Sequence, residues 1–114
     1  MLLIYSYVVR CSFEDARVYD AYVSWLRDAH TGDVCSSGAR DADLLVMDVP
    51  PGEPFVVESH YRFVSREAFE KYEREHAPRL RQQCLAELAR LGVEPGRGVT
   101  MHLATGKALA WRRQ

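Results

Sequence analysis

Strand-like alternation, a helical stripe, two more alternating runs, a second helical stripe and a last alternating run follow one another through almost all 114 residues. Period two marks a strand and recurrence at every third or fourth residue marks a helix, so the order reads β-α-β-β-α-β. Residues 2–11 alternate, with Tyr5, Tyr7 and Val9 on one side and Ile4, Ser6, Val8 and Arg10 on the other. Ser12 suits an N-cap, with Asp15 three residues on. The helix it opens is expected to run to His30, with Val18, Tyr22, Trp25 and Ala29 as its stripe, widened by Ala21 and Leu26, and with Gly32 as its stop; Thr31 to Gly38 then form a turn-rich connection with room for one short helical turn.

Residues 44–49 read as the second strand, and Pro51-Gly52 fits a type II turn into the third, residues 55–64. In that third run Phe55, Val57, Ser59, Tyr61 and Phe63 share one face, and Val56, Glu58, His60, Arg62 and Val64 the other. Ser65 is placed to cap the second helix, which carries Ala68, Phe69 and Tyr72 inward and is expected to break near Pro78. Leu80, Cys84, Leu88 and Leu91 form the stripe beyond the break, and Gly92 ends it. Residues 99–104 make the last strand. The expected organisation is one α+β domain over residues 1–105 and a tail or arm over 106–114.

Right-handed crossovers put both helices on one face of a four-stranded antiparallel sheet. The ferredoxin-like solution orders the strands 4-1-3-2. The tyrosine and phenylalanine faces then lie under the helices. The other face shows Ile4, Ser6, Val8, Val56, Glu58, His60, Arg62, Thr100 and His102. A row that mixes apolar and ionisable groups suits neither full solvation nor lone burial. A second copy of the chain covering it, as a homodimer with a polar-lined cavity, resolves the conflict.

A net charge of −1 with interspersed acids and bases lacks the basic stripe that phosphate binding needs, so no nucleic-acid partner is expected. No apolar run approaches the ~20 residues that cross a bilayer, so no membrane partner is expected either. Cys11, Cys35 and Cys84 form no C-x-x-C pair, and the opening Met1-Leu2-Leu3-Ile4 runs into alternation rather than a signal pattern. A reduced, cytoplasmic setting follows, with each cysteine a small buried hydrophobe and Cys35 the most exposed. No Gly-rich phosphate loop, Gly-x-Ser-x-Gly elbow or RNA-binding strand signature is present.

His60 and His102 are the candidate catalytic residues, with Ser6 as a small floor between them and Glu58 and Arg62 flanking. The functional reading is a general base, an orienting carboxylate and an anion-holding guanidinium. The structural reading is a dimer interface held by the same groups. A metal shared by the two histidines is not expected, because two strand spacings separate them by about 9–10 Å and zinc would want further ligands. His30 reads either as a cation capping a helix C-terminus or as a ligand contact beside Trp25, and His76 has the same two readings. Tyr22, Trp25, Phe69 and Tyr72 read first as core.

Two stretches carry a resemblance. One is Trp25-Leu26-Arg27-Asp28-Ala29-His30 with Thr31-Gly32-Asp33-Val34 after it. The other runs from Tyr61-Arg62-Phe63-Val64-Ser65-Arg66-Glu67-Ala68-Phe69-Glu70-Lys71-Tyr72 to Glu75-His76-Ala77-Pro78-Arg79-Leu80-Arg81. With Ile4-Tyr5-Ser6, they resemble an uncharacterised bacterial family of small proteins known only as a domain of unknown function. The resemblance covers roughly residues 2–91. It implies a ferredoxin-like fold similar to dimeric α/β-barrel proteins, a group that includes cofactor-free monooxygenases, small isomerases and haem-degrading enzymes. It assigns no activity. Two functions follow as expectations: a homodimer that binds a small ligand over the open sheet face, or a cofactor-independent oxygenase or isomerase with its pocket there. No cofactor is expected for either.

Overall fold

The computed structural model describes residues 4–109, 111 and 113. The first strand, β1 (Ile4–Phe13), starts where alternation starts, and Leu2 lies outside the described residues. It runs two residues past the expected end. Ser12 and Phe13 stay in the ladder, opposite Val56 and Phe55 on one side and Thr100 and Val99 on the other. Ser12 is therefore not the cap. Asp15 is, its carboxylate accepting from the backbone N–H groups of Arg17 and Val18 at 2.8 and 3.0 Å.

Helix α1 (Ala16–Trp25) passes into a π-helical turn, Leu26–His30, and then into α2 (Thr31–Ser36). The wider π turn changes which side chains face inward. The buried stripe is Tyr19, Tyr22, Leu26, His30 and Val34, rather than Val18, Trp25 and Ala29, and Ala29 is exposed. Gly32 does not end the helix. Burial of Val34 secures one more turn, and the chain leaves it at Gly38, whose φ of 138° suits glycine.

Strand β2 (Asp41–Val46) begins three residues earlier than the alternation suggested, because Asp41 and Asp43 pair with Arg62 and His60. Strand β3 (Phe55–Phe63) follows. Ser65 caps α3 (Arg66–Glu75), its hydroxyl accepting from the Ala68 N–H at 3.0 Å. His76, at φ −128°, separates α3 from α4 (Ala77–Arg90), which carries Pro78 in its first turn where no donor is needed. A two-residue strand, β4 (Glu94–Pro95), runs parallel to the start of β5 (Gly98–Ala108). β5 is longer than residues 99–104, since Gly106, Lys107 and Ala108 pair with Ser6, Tyr5 and Ile4; of the expected tail or arm, residues 110, 112 and 114 lie outside the described residues.

The sheet order is β2-β3-β1-β5-β4, so the four main strands have the ferredoxin-like order and a short fifth strand lies at the edge. Its helix-side face supports two clusters of buried side chains. One joins Tyr7, Tyr61 and Phe63 to Val34, Phe69, Tyr72 and Leu80. The other joins Cys11, Phe13, Val57 and Val99 to Tyr19, Tyr22, Leu26 and Leu88. Aromatic edges and faces interlock throughout, as in Phe63 against Phe69 at 5.2 Å and 80°.

Candidate functional site

The open face of the sheet is an ion-pair lattice. Its rungs are set by register: Leu45, Glu58, Arg10 and His102 form one, Asp43, His60, Val8 and Ala104 the next, and Asp41, Arg62, Ser6 and Gly106 the third. Ser6 is thus not a floor between two imidazoles. It lies beside Arg62, while Val8 lies beside His60 and Arg10 beside His102. Glu58 accepts from Arg10 Nη1 at 2.6 Å and pairs with His60 Nε2 at 2.8 Å, and these two hydrogen bonds hold its carboxyl below the usual range. Arg62 donates Nε to Asp41 and Nη1 to Asp43, the latter at 2.9 Å. The guanidinium expected to hold a ligand anion is already neutralised by two aspartates. Thr100 and His102 are exposed, and Val56, expected on this face, is buried where the β2–β3 connection folds over it.

Enclosure lies on the opposite side of the sheet. Between β1, β3, β5 and the helices is a cavity of about 200 Å³. Tyr7, Tyr22, Tyr61 and Tyr72 supply its aromatic wall, with Leu26, Leu80 and Met101 between them. Its origin is visible in the β3 row Phe55, Val57, Ser59, Tyr61, Phe63. A buried serine stands where its neighbours are large, and Cys11 and Cys84 add two more small side chains around the same space. The mouth is marked by Leu85 on α4 and Leu103 on β5, 42% and 49% exposed.

Two polar groups on this wall stand out. The π turn delivers His30 to it, 6% exposed, with the ring stacked on Trp25 at 4.8 Å and 22°. His30 Nε2 lies 3.4 Å from Cys84 Sγ, a hydrogen bond with the proton on either atom, and Nδ1 is buried without a hydrogen-bond partner. Burial pushes the imidazole pKa down, against the opposing pull of Asp33 and Gln83. His30 is consequently a neutral wall residue and not a helix-capping cation: helical backbone continues past it, leaving no exposed C-terminal carbonyls there to favour a charge. Burial likewise pushes the thiol of Cys84 up, and with it the phenols of Tyr7, Tyr22, Tyr61 and Tyr72, Tyr61 to about 12. The second polar group, Arg81, sits one turn before Cys84 on α4 and lines the same space. Its Nη2 donates to Glu73 Oε1 at 2.5 Å.

Of the residues singled out by sequence, His30 is on the cavity wall and Trp25 is behind it. Ser6, Glu58, His60, Arg62 and His102 are on the far side of the sheet, and His76 stands between α3 and α4. Tyr7, Ser59, Arg81 and Cys84 were not singled out. The available signals were a serine in the middle of an apolar row and an arginine beside the apolar stripe of α4. Among the described residues no cluster of three or more His, Cys, Asp or Glu side chains is placed to hold a metal ion. Among the described residues no helix is long and apolar enough to cross a membrane.

This is a ferredoxin-like α+β fold, and solved proteins share it over nearly the whole chain. A dimeric ferredoxin-like protein from an uncultured marine organism matches with a TM-score of 0.71 at 11% identity, covering 96% of this chain and 99% of its own. A dimeric ferredoxin-like protein of unknown function from Thermobifida fusca matches at 0.59 and 8%, over 93% and 92%. A monooxygenase from Streptomyces coelicolor, solved in complex with nanaomycin D, matches at 0.59 and 12%, over 96% and 92%. No protein-family model matches the chain, and no curated protein does. At these identities the likeness is one of fold.

Proposed function

We propose that this protein is a homodimer that binds a small aromatic molecule between its sheet and its helices. The carrying observation is the cavity: an aromatic wall and few polar groups, each in a set position, are what small-molecule sites are made of. Its 200 Å³ is somewhat larger than a cavity of about 150 Å³ that holds benzene, so one or two fused rings match it. The open face supports the dimer. Its charged groups pair within the chain, which lowers the cost of covering them, and Ile4, Val8 and Leu45 between them remain to be buried. Among the described residues the outer edge of β5 beyond Val99 pairs with nothing, and an unpaired edge of that length invites another chain. Fold neighbours described as dimeric agree with this.

The test is calorimetric titration of the whole chain with 2-naphthol, beside Leu85→Trp, which places a large ring at the mouth without touching the buried layer. Saturable binding by the wild type and a loss of about tenfold or more in the variant are expected, the range that truncating or blocking one good contact reaches. Absence of binding by the wild type, or equal binding by both proteins, overturns the reading.

A second reading, a cofactor-independent oxygenase or isomerase, is favoured by the neutral imidazole on the cavity wall. A neutral histidine accepts a proton from a bound phenol or activated carbon acid, and a dry wall strengthens that interaction. Dioxygen uptake with electron-rich naphthols, abolished in His30→Gln while binding persists, is the expected signature. Uptake that His30→Gln leaves intact removes His30 from the chemistry.

A further inference from the structure

We propose that the preferred ligand is an aromatic acid, its ring system inside the cavity and its carboxylate on Arg81 at the mouth. This rests on the reading of the cavity as a ligand site and adds the chemical class. Of the side chains lining the space, Arg81 alone carries a permanent charge; the rest are apolar or are tyrosine, serine, cysteine and histidine. Burial keeps those phenols and the Cys84 thiol protonated and His30 neutral at physiological pH, so nothing on the inner wall repels an anion. Arg81 has its side chain 41% exposed, which sets it where the cavity meets water. A ligand held there keeps its charged end hydrated while its ring is buried.

The guanidinium also has donors to spare. It presents five N–H groups. Glu73 Oε1 takes one N–H of Nη2 and the Tyr7 phenol hydrogen-bonds the same guanidinium, which leaves N–H groups on the two Nη atoms for a ligand; Nε, like Glu73 Oε2, is buried without a partner among the described residues. Arg62, the anion holder expected from sequence, is flanked by two aspartates, Asp41 and Asp43, whose charges oppose a ligand anion there. Arginine with one acidic neighbour, at the rim of an aromatic cavity, selects a planar carboxylate. Among the described residues Glu73 is the charged group that pairs with it and competes with the ligand, so its charge tunes the affinity.

The experiment compares naphthalene-2-carboxylate with its neutral near-isostere 2-naphthamide by calorimetry near neutral pH, on the wild type, Arg81→Gln, Arg81→Lys and Glu73→Gln. The wild type should bind the acid at least about tenfold more tightly than the amide, the worth of a charge-assisted hydrogen bond. Arg81→Gln should bring that ratio towards one, Arg81→Lys should restore part of it, and Glu73→Gln should raise it. Added salt should reduce it, since Arg81 is partly exposed. Equal affinities in the wild type, or a preference for the acid that survives Arg81→Gln, overturn the assignment while leaving the cavity as a ligand site. Binding of neither compound overturns both. Unfolding curves on each variant separate loss of the ratio from loss of the fold.

Discussion

Phe63→Ala should destabilise the protein by about 3–5 kcal/mol, the cost of removing a fully buried aromatic ring. Phe63 is 0% exposed and meets Phe69 edge-on and Tyr72 at 5.1 Å, so its loss empties a space between β3 and α3. For a domain whose total stability is about 5–15 kcal/mol, that is a large fraction, and Tm should fall by roughly 15 °C. Leu103→Ala is the contrast. Leu103 is of comparable apolar character but half-exposed at the cavity mouth, so it should cost about 1 kcal/mol or less. Chemical denaturation of both variants measures the difference. Equal losses would mean that the aromatic layer is not the main store of stability.

His30→Phe should change how stability depends on pH. In the folded protein burial holds the His30 pKa below its ordinary 6.5, while in the unfolded chain it returns to that value. Between the two the unfolded state binds more protons, so stability rises with pH through that window. The contribution is fully present above the unfolded value and is lost as pH falls through the folded one. Carboxylates held low by ion pairs, such as Glu58 and Glu87, act only further into acid. The urea midpoint of the wild type should therefore drop as pH is lowered from about 7.5 to about 5.5, and His30→Phe, which keeps a ring against Trp25 but no titrating nitrogen, should lose much of that slope. The same slope in both proteins would show that His30 is not buried in its neutral form.

The alternation of β1 and β3 was legible in sequence because a strand sorts its side chains by parity, and parity survives errors at the ends. Tyr7, Tyr61 and Phe63 are buried on the side their spacing implied, and Glu58, His60 and Arg62 stand on the other. Strand ends were less legible. Asp41 and Asp43 look like turn residues until Arg62 is placed across from them, and Gly106 looks like a break until Ser6 pairs with it. Long-range partners decide both. The π turn left no compositional mark, yet it moved His30 from a helix end to the cavity wall. The cavity itself is a volume left over between correctly assigned faces. Only the small side chains of Ser59, Cys11 and Cys84 hinted at it, and a small residue in a pattern does not say whether its neighbours close in.

Intermolecular NOEs between bound naphthalene-2-carboxylate and assigned methyl groups report on which side of the sheet the ligand lies, and the helix side is predicted. Contacts to Leu26, Leu80 and Met101 are the expected result, since these line the cavity. Contacts to Ile4, Val8 and Leu45, which share the opposite face with Arg62, His60 and Glu58, would contradict it.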